Sequence, residues 1–520
     1  MARYFNVAGP CNETDHYMID ASSRLTGIVE LIEQKQYFVI HAPRQSGKTT
    51  LLLDLVNRIH CEGKYYALYC SLEAAQGIID PKEGIPVIVK GLKSDLRYTT
   101  IPGARQFAAD ADYGDFTNVL KDELTDFCLS LDKPLVVFFD EADCLSEGTL
   151  ITFLRQLRNA YNTRTRTPFV QSIALVGMRN IRDFKARIRP DSESLGSASP
   201  FNIITKALTF NNFTKEETIS LYAQHTAETG QVFEPDAVET VYRQTQGQPW
   251  LVNAIAREVI EKMTQSDYTQ PVTAELVEKA IQTIILRRDT HIDSLLERLK
   301  EERVRRVMEP VITGEMSGLD TLSDGYSYTT DLGLIKQANG VIMPSNPIYA
   351  EVIIRTLSAN SQKDLYECKY PRPMPHYLKN GRIDMTMLLQ DFQVFWRENS
   401  EIWIERYQYK EAAPLLILQA FLQRVVNGGG RIIREFAAGR RRLDLYLELE
   451  GQKYPVELKL RRGPNTEEKS HAQIIDYMDT LGVKEGWLII FDRRITTDWD
   501  TKIYLKTEKM EDKTVTIAGC

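Results

Sequence analysis

The stretch YFVIHAPRQSGKTTLLLDLVNRIH, residues 37–60, limits the possible folds more than any other part of the chain. Its first residues are aromatic and β-branched, the composition of a short strand buried on both faces. Its last residues repeat leucine at helical spacing. Between them the chain must turn its backbone N–H groups inward and enter a helix at its N-terminus, an arrangement that cradles a phosphate. In the loop Ala42-Pro43-Arg44-Gln45-Ser46-Gly47-Lys48-Thr49-Thr50, Gly47 permits close approach and Lys48 reaches the β/γ oxygens. The Thr49 hydroxyl is placed to coordinate Mg²⁺. Ala42 stands where the consensus has its first glycine, which ordinary extended dihedral angles tolerate.

The first 200 residues repeat this alternation. KYYALYCSL (64–72), PLVVFFDEAD (134–143) and SIALVGM (172–178) read as further buried parallel strands, with helical stretches between them. Strands alternating with helices predict an α/β fold with a doubly wound sheet. The strand ending in Asp140 and Glu141 sets two carboxylates at the carboxyl edge of that sheet, beside the loop. Asp140 is expected to hold Mg²⁺, directly or through water, and Glu141 to activate the attacking water. Arg179, just past SIALVGM, is either a γ-phosphate sensor or an ordinary strand-end arginine.

These motifs, with a helical segment after them, resemble the AAA+/STAND class of ATPases. QTQGQPWLVNAIA (244–256) is similar to the lid motif of that class, which implies that Gly247 and Pro249 line an adenine pocket. YMIDASSRL (17–25) resembles the segment that closes the pocket's other side. The letters DEAD (140–143) invite a helicase reading, but the other helicase motifs are missing and no second RecA-like domain follows.

At 520 residues the chain should divide into about three or four domains. From residue 213 the period is almost wholly helical, with Thr214 before Glu216 and Glu217 as an N-cap signal. Residues 292–358 run from helices to two short apolar segments about Asn339-Gly340, a hairpin signal that suggests a winged helix. YPRPMPHY (370–377) reads as a boundary. The expected division is 1–212 ATPase core, 213–291 helical lid, 292–358 winged helix, 359–384 linker and 385–520 a last α/β domain. No apolar run approaches the roughly 18 to 20 residues of a membrane span. The N-terminus lacks a secretory pattern, and seven scattered cysteines without a CxxC pair suit reduced thiols. A cytoplasmic protein without membrane contact is expected. The net charge of -7 excludes a polycation, so any nucleic-acid contact needs a local basic patch.

The last domain carries one. Arg431, Arg434, Arg440, Arg441, Arg442, Arg461 and Arg462 crowd it. It also sets charges inside apolar strands: Asp444 in LDLYLELE, and Glu457 and Lys459, two apart and so on one face, in KYPVELKL. A hairpin through EGQK brings Asp444 near Glu457. Two carboxylates can hold a hard cation while the lysine orients a water or a phosphate oxygen, the parts of metal-assisted phosphodiester hydrolysis. The alternative is a solvated hairpin face with a surface ion pair. The pattern resembles the PD-(D/E)XK nucleases, without the proline that usually precedes the aspartate. Gln473 and Tyr477, at i and i+4, resemble the Q-xxx-Y helix of RecB-like members. Glu411 matches an acidic residue that some members add to the metal site. Glu435 is a weaker candidate, since it could pair with the neighbouring arginines.

As a whole the chain is similar to a family of prokaryotic proteins that fuse an AAA-like ATPase, a winged helix and a PD-(D/E)XK nuclease. SPFNIITKALTFNNFTKEE (199–217), NPIYAEVIIRTL (346–357) and AFLQRVVNGGGRIIREFAAGRRRLDL (420–445) carry that resemblance. It implies both activities, with ATP and Mg²⁺ as cofactors and a restriction-endonuclease-like last domain, but it gives no substrate. DNA is the expected nucleic-acid partner and a homo-oligomer the expected assembly on nucleotide binding, while the resemblance suggests a role in defence or mobile-element biology. The alternative is a STAND-like switch or scaffold whose last domain binds nucleic acid or protein without cutting.

Overall fold

The structure is a computed structural model that describes residues 3–20, 27–108, 115–177, 203–287, 289–313, 319–338, 340–364, 374–406, 413–426, 431–436, 443–461, 466–492, 494, 497–510 and 512–520. The chain divides into two compact units, Met1–His291 with Ser327–Gly333, and Ile292–Tyr326 with Leu334–Cys520. No helix among the described residues is long and apolar enough to cross a membrane.

The first unit is built on five strands: β1 (Tyr37–His41), β2 (Tyr66–Ser71), β3 (Leu135–Asp140), β4 (Ser172–Gly177) and β5 (Ile204–Thr209). They pair in the order β2-β3-β4-β1-β5, every pair parallel. β1, β3 and β4 are buried throughout because helices cover both faces of the sheet. On one face Phe38, Ile40, Phe138 and Val176 pack on Leu51, Leu52, Leu55 and Ile59 of the helix Lys48–Glu62. On the other, Tyr37, Val39, Val137 and Phe139 meet the helices Pro81–Leu96 and Glu147–Thr163. The inner strands alternate in sequence between these two cores, so neither face could turn polar without opening one of them.

Helices Lys215–Thr229, Pro235–Thr245, Pro249–Arg257 and Ala274–Arg287 follow the sheet. The N-cap read at Thr214 is realised as a reciprocal pair: Glu217 N donates to Thr214 Oγ1 at 3.1 Å and Thr214 N to Glu217 Oε2 at 2.8 Å. Gly247 is required where it stands. Its φ is +71°, and a Cβ there would lie 1.9 Å from the Phe213 carbonyl oxygen.

The second unit contains a helix Glu302–Thr313 and a hairpin of β6 (Ile335–Ala338) and β7 (Val341–Pro344), in register from Ile335–Pro344 to Ala338–Val341. Gly340 in its turn has φ +75°, while Asn339 lies outside the described residues. The helix Pro347–Asp364 follows, then the short hairpin β8 (Leu378–Lys379) and β9 (Arg382–Ile383), and the helices Met385–Arg406 and Ala413–Val426. Six more strands form one sheet: β10 (Arg431–Phe436), β11 (Leu443–Leu449), β12 (Gln452–Leu460), β13 (Glu485–Phe491), β14 (Tyr504–Met510) and β15 (Lys513–Gly519). Their order is β10-β11-β12-β13-β15-β14. The first three are antiparallel, β12-β13-β15 parallel, and β14 returns antiparallel on the edge. A parallel β12–β13 pair needs a crossover, which the helix Thr466–Leu481 supplies. Its Ile474, Tyr477 and Met478 pack on Leu488, Ile490, Val515 and Ile517.

Candidate functional site

The loop after β1, an inner strand of the sheet, enters the helix Lys48–Glu62. Gly47 takes φ +93°, and Gln45 takes φ +56°, a region a side chain occupies at a cost of roughly 1–2 kcal/mol. The root of the loop is tied to β4, since Ala42 N donates to the Gly177 carbonyl at 3.2 Å. Lys48 Nζ donates to the Ala42 and Pro43 carbonyls, both at 3.1 Å, and Ser46 Oγ to Pro43 O at 2.7 Å. The ammonium is therefore held over the cradle from within. Burial pulls the Lys48 pKa down, with Glu141, Asp140 and Asp143 acting the other way and Arg44 adding to the lowering.

β3 delivers the acids. Asp140 is 1% exposed, and its Oδ2 accepts from Thr49 Oγ1 at 2.9 Å and from the Tyr69 hydroxyl at 3.1 Å. Its Oδ1 accepts from Glu141 N at 2.9 Å. A hydroxyl and a carboxylate in contact offer two hard oxygen donors at one spot, the donor set that suits Mg²⁺. Glu141 adopts φ +55°, a left-handed conformation uncommon for a side-chain-bearing residue and costing about 1–3 kcal/mol. It turns the chain sharply at the sheet edge. Burial raises the Glu141 carboxyl pKa and the Lys48 charge opposes that rise, the balance a general base needs.

Several groups around the loop have no role assigned from the sequence. Tyr69 comes from β2 and reaches Asp140. Asp143 is buried against Gly177, where a Cβ would lie 2.4 Å from its Oδ1, and that oxygen has no hydrogen-bond partner among the described residues. Gln248, ahead of Pro249, donates to the Gln45 carbonyl at 3.3 Å and caps its own helix at Leu251 N, 2.7 Å away. Trp250 donates to Val7 O at 2.9 Å, and Cys11 N donates to Thr50 Oγ1 at 3.0 Å. The N-terminal segment thus lies along the same edge as the loop and the helix Pro249–Arg257. Arg179 lies outside the described residues.

With this geometry in view, the AAA domain family matches residues 31–184, which hold the loop, β3 and β4. That match supports ATP binding at an AAA-type site within these residues. Among solved structures it is similar to the Walker-type ATPase PABY2304 of Pyrococcus abyssi, at 15% identity and a TM-score of 0.47, covering 67% of this chain and 99% of that one. The Aeropyrum pernix ORC2 protein is 16% identical with a TM-score of 0.37, over 66% and 92% of the two chains. The Thermotoga maritima RuvB Holliday junction branch migration motor is 15% identical with a TM-score of 0.33, over 64% and 92%. No curated protein matches the chain.

The second candidate site lies in the six-stranded sheet. Glu435 of β10 stands directly opposite Asp444 of β11. The β11–β12 pairing ends at Leu445–Val456, and Asp444 and Glu457 are the next residues on the two strands. Glu435 and Asp444 are thus paired across two strands, Glu457 is the residue after the last β11–β12 pair, and Lys459 follows Glu457 by two. Glu457 and Lys459 form an ion pair of 2.6 Å with both side chains 1% exposed. Lys459 also donates to Gln473 Oε1 of the helix Thr466–Leu481. Tyr477, one turn on, is buried in the core of that sheet face. Asp444 and Glu435 are described as strand positions only, and Glu411, Arg440, Arg441, Arg442 and Arg462 lie outside the described residues. Arg461 is engaged within the unit, by the Tyr504 hydroxyl at 3.0 Å and Asp492 at 3.7 Å.

Proposed function

We propose that the chain is an ATP-regulated, Mg²⁺-dependent nuclease acting on DNA. In this reading Lys48, Thr49 and Asp140 hold the nucleotide and its metal, and Glu141 serves as the base for hydrolysis. Mg²⁺ at the Thr49–Asp140 contact would neutralise the charge that develops on the phosphates. Gly247 and Pro249 close the adenine side. Residues 292–358 act as a winged helix, and residues 385–520 as a PD-(D/E)XK domain in which Asp444 and Glu457 hold a second Mg²⁺. Lys459 there orients a water or a phosphate oxygen, while Gln473 fixes the lysine. Glu411 would add a further oxygen ligand. Nucleotide binding licenses the second site through a STAND-like switch, and a homo-oligomer forms in the ATP state. Defence against foreign DNA is the role that the resemblance suggests.

The observation that carries this reading is the buried Glu457–Lys459 pair, held by a glutamine of the following helix, in the sheet that also pairs Glu435 with Asp444. A charge pair so deeply enclosed is costly to maintain for stability alone, because apolar residues of the same volume do as well or better. Its retention fits a chemical use. The test is Mg²⁺-dependent cleavage of linear, circular and single-stranded DNA by the wild type and by Asp444→Asn. Loss of cleavage with ATP hydrolysis retained supports the assignment. Cleavage by the variant at the wild-type rate removes Asp444 from it.

The enclosure of the pair favours a second reading, a nucleotide-switched scaffold whose last domain binds nucleic acid or protein without cutting. Absence of cleavage under every metal and nucleotide condition selects it.

A further inference from the structure

The phosphate loop is gripped from outside at two points by residues that no motif assigns. His291 Nδ1 donates to Gln45 Oε1 at 2.6 Å, and its ring stacks on Trp250 at 4.8 Å between centroids. Burial pushes the His291 pKa down to about 3, so the ring is neutral and Nδ1 carries the proton in this bond. On the other side, Asp331 Oδ1 lies 3.7 Å from His41 Nε2, which also contacts Thr209 Oγ1 at 3.1 Å. Two residues later Gly333, at φ +72°, packs on Pro43 so closely that a Cβ would sit 2.4 Å from its Cγ. The chain thus meets the residue before the loop, its second residue and its fourth.

Those three positions matter because the loop is conformationally expensive. Gln45 is held in the left-handed region, Lys48 is held by the carbonyls of Ala42 and Pro43, and Gly333 packs on the Pro43 ring. A loop fixed in advance binds its ligand without losing that ordering free energy on binding. The two gripping elements are far from the loop in sequence, and they bracket residues 292–326.

We propose that Asp331 with Gly333, and His291, are positioning residues of the nucleotide site that preorganise the phosphate loop. By linkage, a nucleotide that selects this loop shape also tightens the seating of residues 327–333. Occupancy of the loop then reaches both ends of segment 292–326 through the covalent chain. The inference rests on the ATP-site assignment and gives the proposed switch its contact.

The experiment uses the full chain with Asp331→Asn and, independently, Gly333→Ala. It measures the dissociation constant of a fluorescent ATP analogue, the KM and kcat of hydrolysis, and hydrogen exchange at the amides of residues 327–333 with and without nucleotide. The expected result is an analogue affinity weaker by about tenfold in both variants, within the usual range of coupling between sites. KM rises more than kcat falls, and nucleotide slows exchange at 327–333 in the wild type but less in either variant. Affinity within about twofold of wild type, or exchange at 327–333 that ignores nucleotide in the wild type, overturns the inference while leaving the ATP site intact. A wild type that binds no analogue overturns both.

Discussion

Replacing Lys459 by methionine separates two accounts of the buried pair. The side chain keeps its length and apolar stem but loses the ammonium that lies 2.6 Å from Glu457 and bonds Gln473. Glu457 is 0% exposed, so its carboxylate cannot recover the lost interaction from water. Breaking one partner of such a pair costs about 3–5 kcal/mol, and the lost Gln473 bond about 1 kcal/mol more. Glu457→Gln is the mirror change and strands the ammonium instead. The double variant, Glu457→Gln with Lys459→Met, removes both charges and should return to within about 1 kcal/mol of wild type. The coupling between the two sites is then about 3 kcal/mol or larger. Denaturant-dependent hydrogen exchange at the β12 and β13 amides of the full chain reads this locally. If the two single changes add to the double within about 0.5 kcal/mol, the pair is not coupled as described and the reasoning from its burial is wrong. The cycle also governs how cleavage data are read, because only variants shown to keep β12 folded report on chemistry.

Three further outcomes follow from the first unit. Gly247→Ala sets a Cβ 1.9 Å from the Phe213 oxygen at φ +71°; the unit should lose more than about 2 kcal/mol, seen as a lower thermal midpoint, and an unchanged midpoint would refute the constraint. Thr49→Ala removes the hydroxyl bonded to Asp140, so the Mg²⁺ enhancement of nucleotide affinity should fall about tenfold or more, measured by titration with and without the metal. His291 is held neutral with its pKa near 3 by burial, and burial lowers His41 and His225 as well. A folded pKa below the unfolded value of about 6.5 means that the unfolded chain takes up the proton first. Stability is therefore full above that value and is lost as pH falls below it. His291 alone accounts for about 2 kcal/mol at about pH 5, and His291→Gln should flatten the acid limb of the unfolding curve.

The strands β1, β3 and β4 were legible because they are buried on both faces, so nearly every position must be apolar and the runs stand out. β5 did not show itself: it is the edge strand, and four of its six residues are exposed. The β14–β15 hairpin hid for a related reason, since β14 is also an edge and reads YLKTEKM. In the nucleotide site the residues of the loop and the Asp140–Glu141 pair were readable because phosphate chemistry fixes their spacing. Tyr69, Gln248, His291 and Asp331 were not, because each arrives from an element whose place is decided by tertiary packing rather than by local pattern. For Gly247 and Gly333 the close approach that requires a glycine is visible only in space. The Glu457–Lys459 pair was legible as charge within an apolar strand; its partner Gln473 was legible from helical spacing, and the bond that joins them was not.

The most direct measurement is the rate of Mg²⁺-dependent DNA cleavage with and without ATP, in the wild type and in Lys48→Ala. The account predicts cleavage by the wild type that ATP alters by an order of magnitude or more, and a Lys48→Ala protein whose rate is indifferent to ATP. Cleavage that responds to ATP equally in both proteins, or no cleavage by the wild type on any substrate, contradicts it.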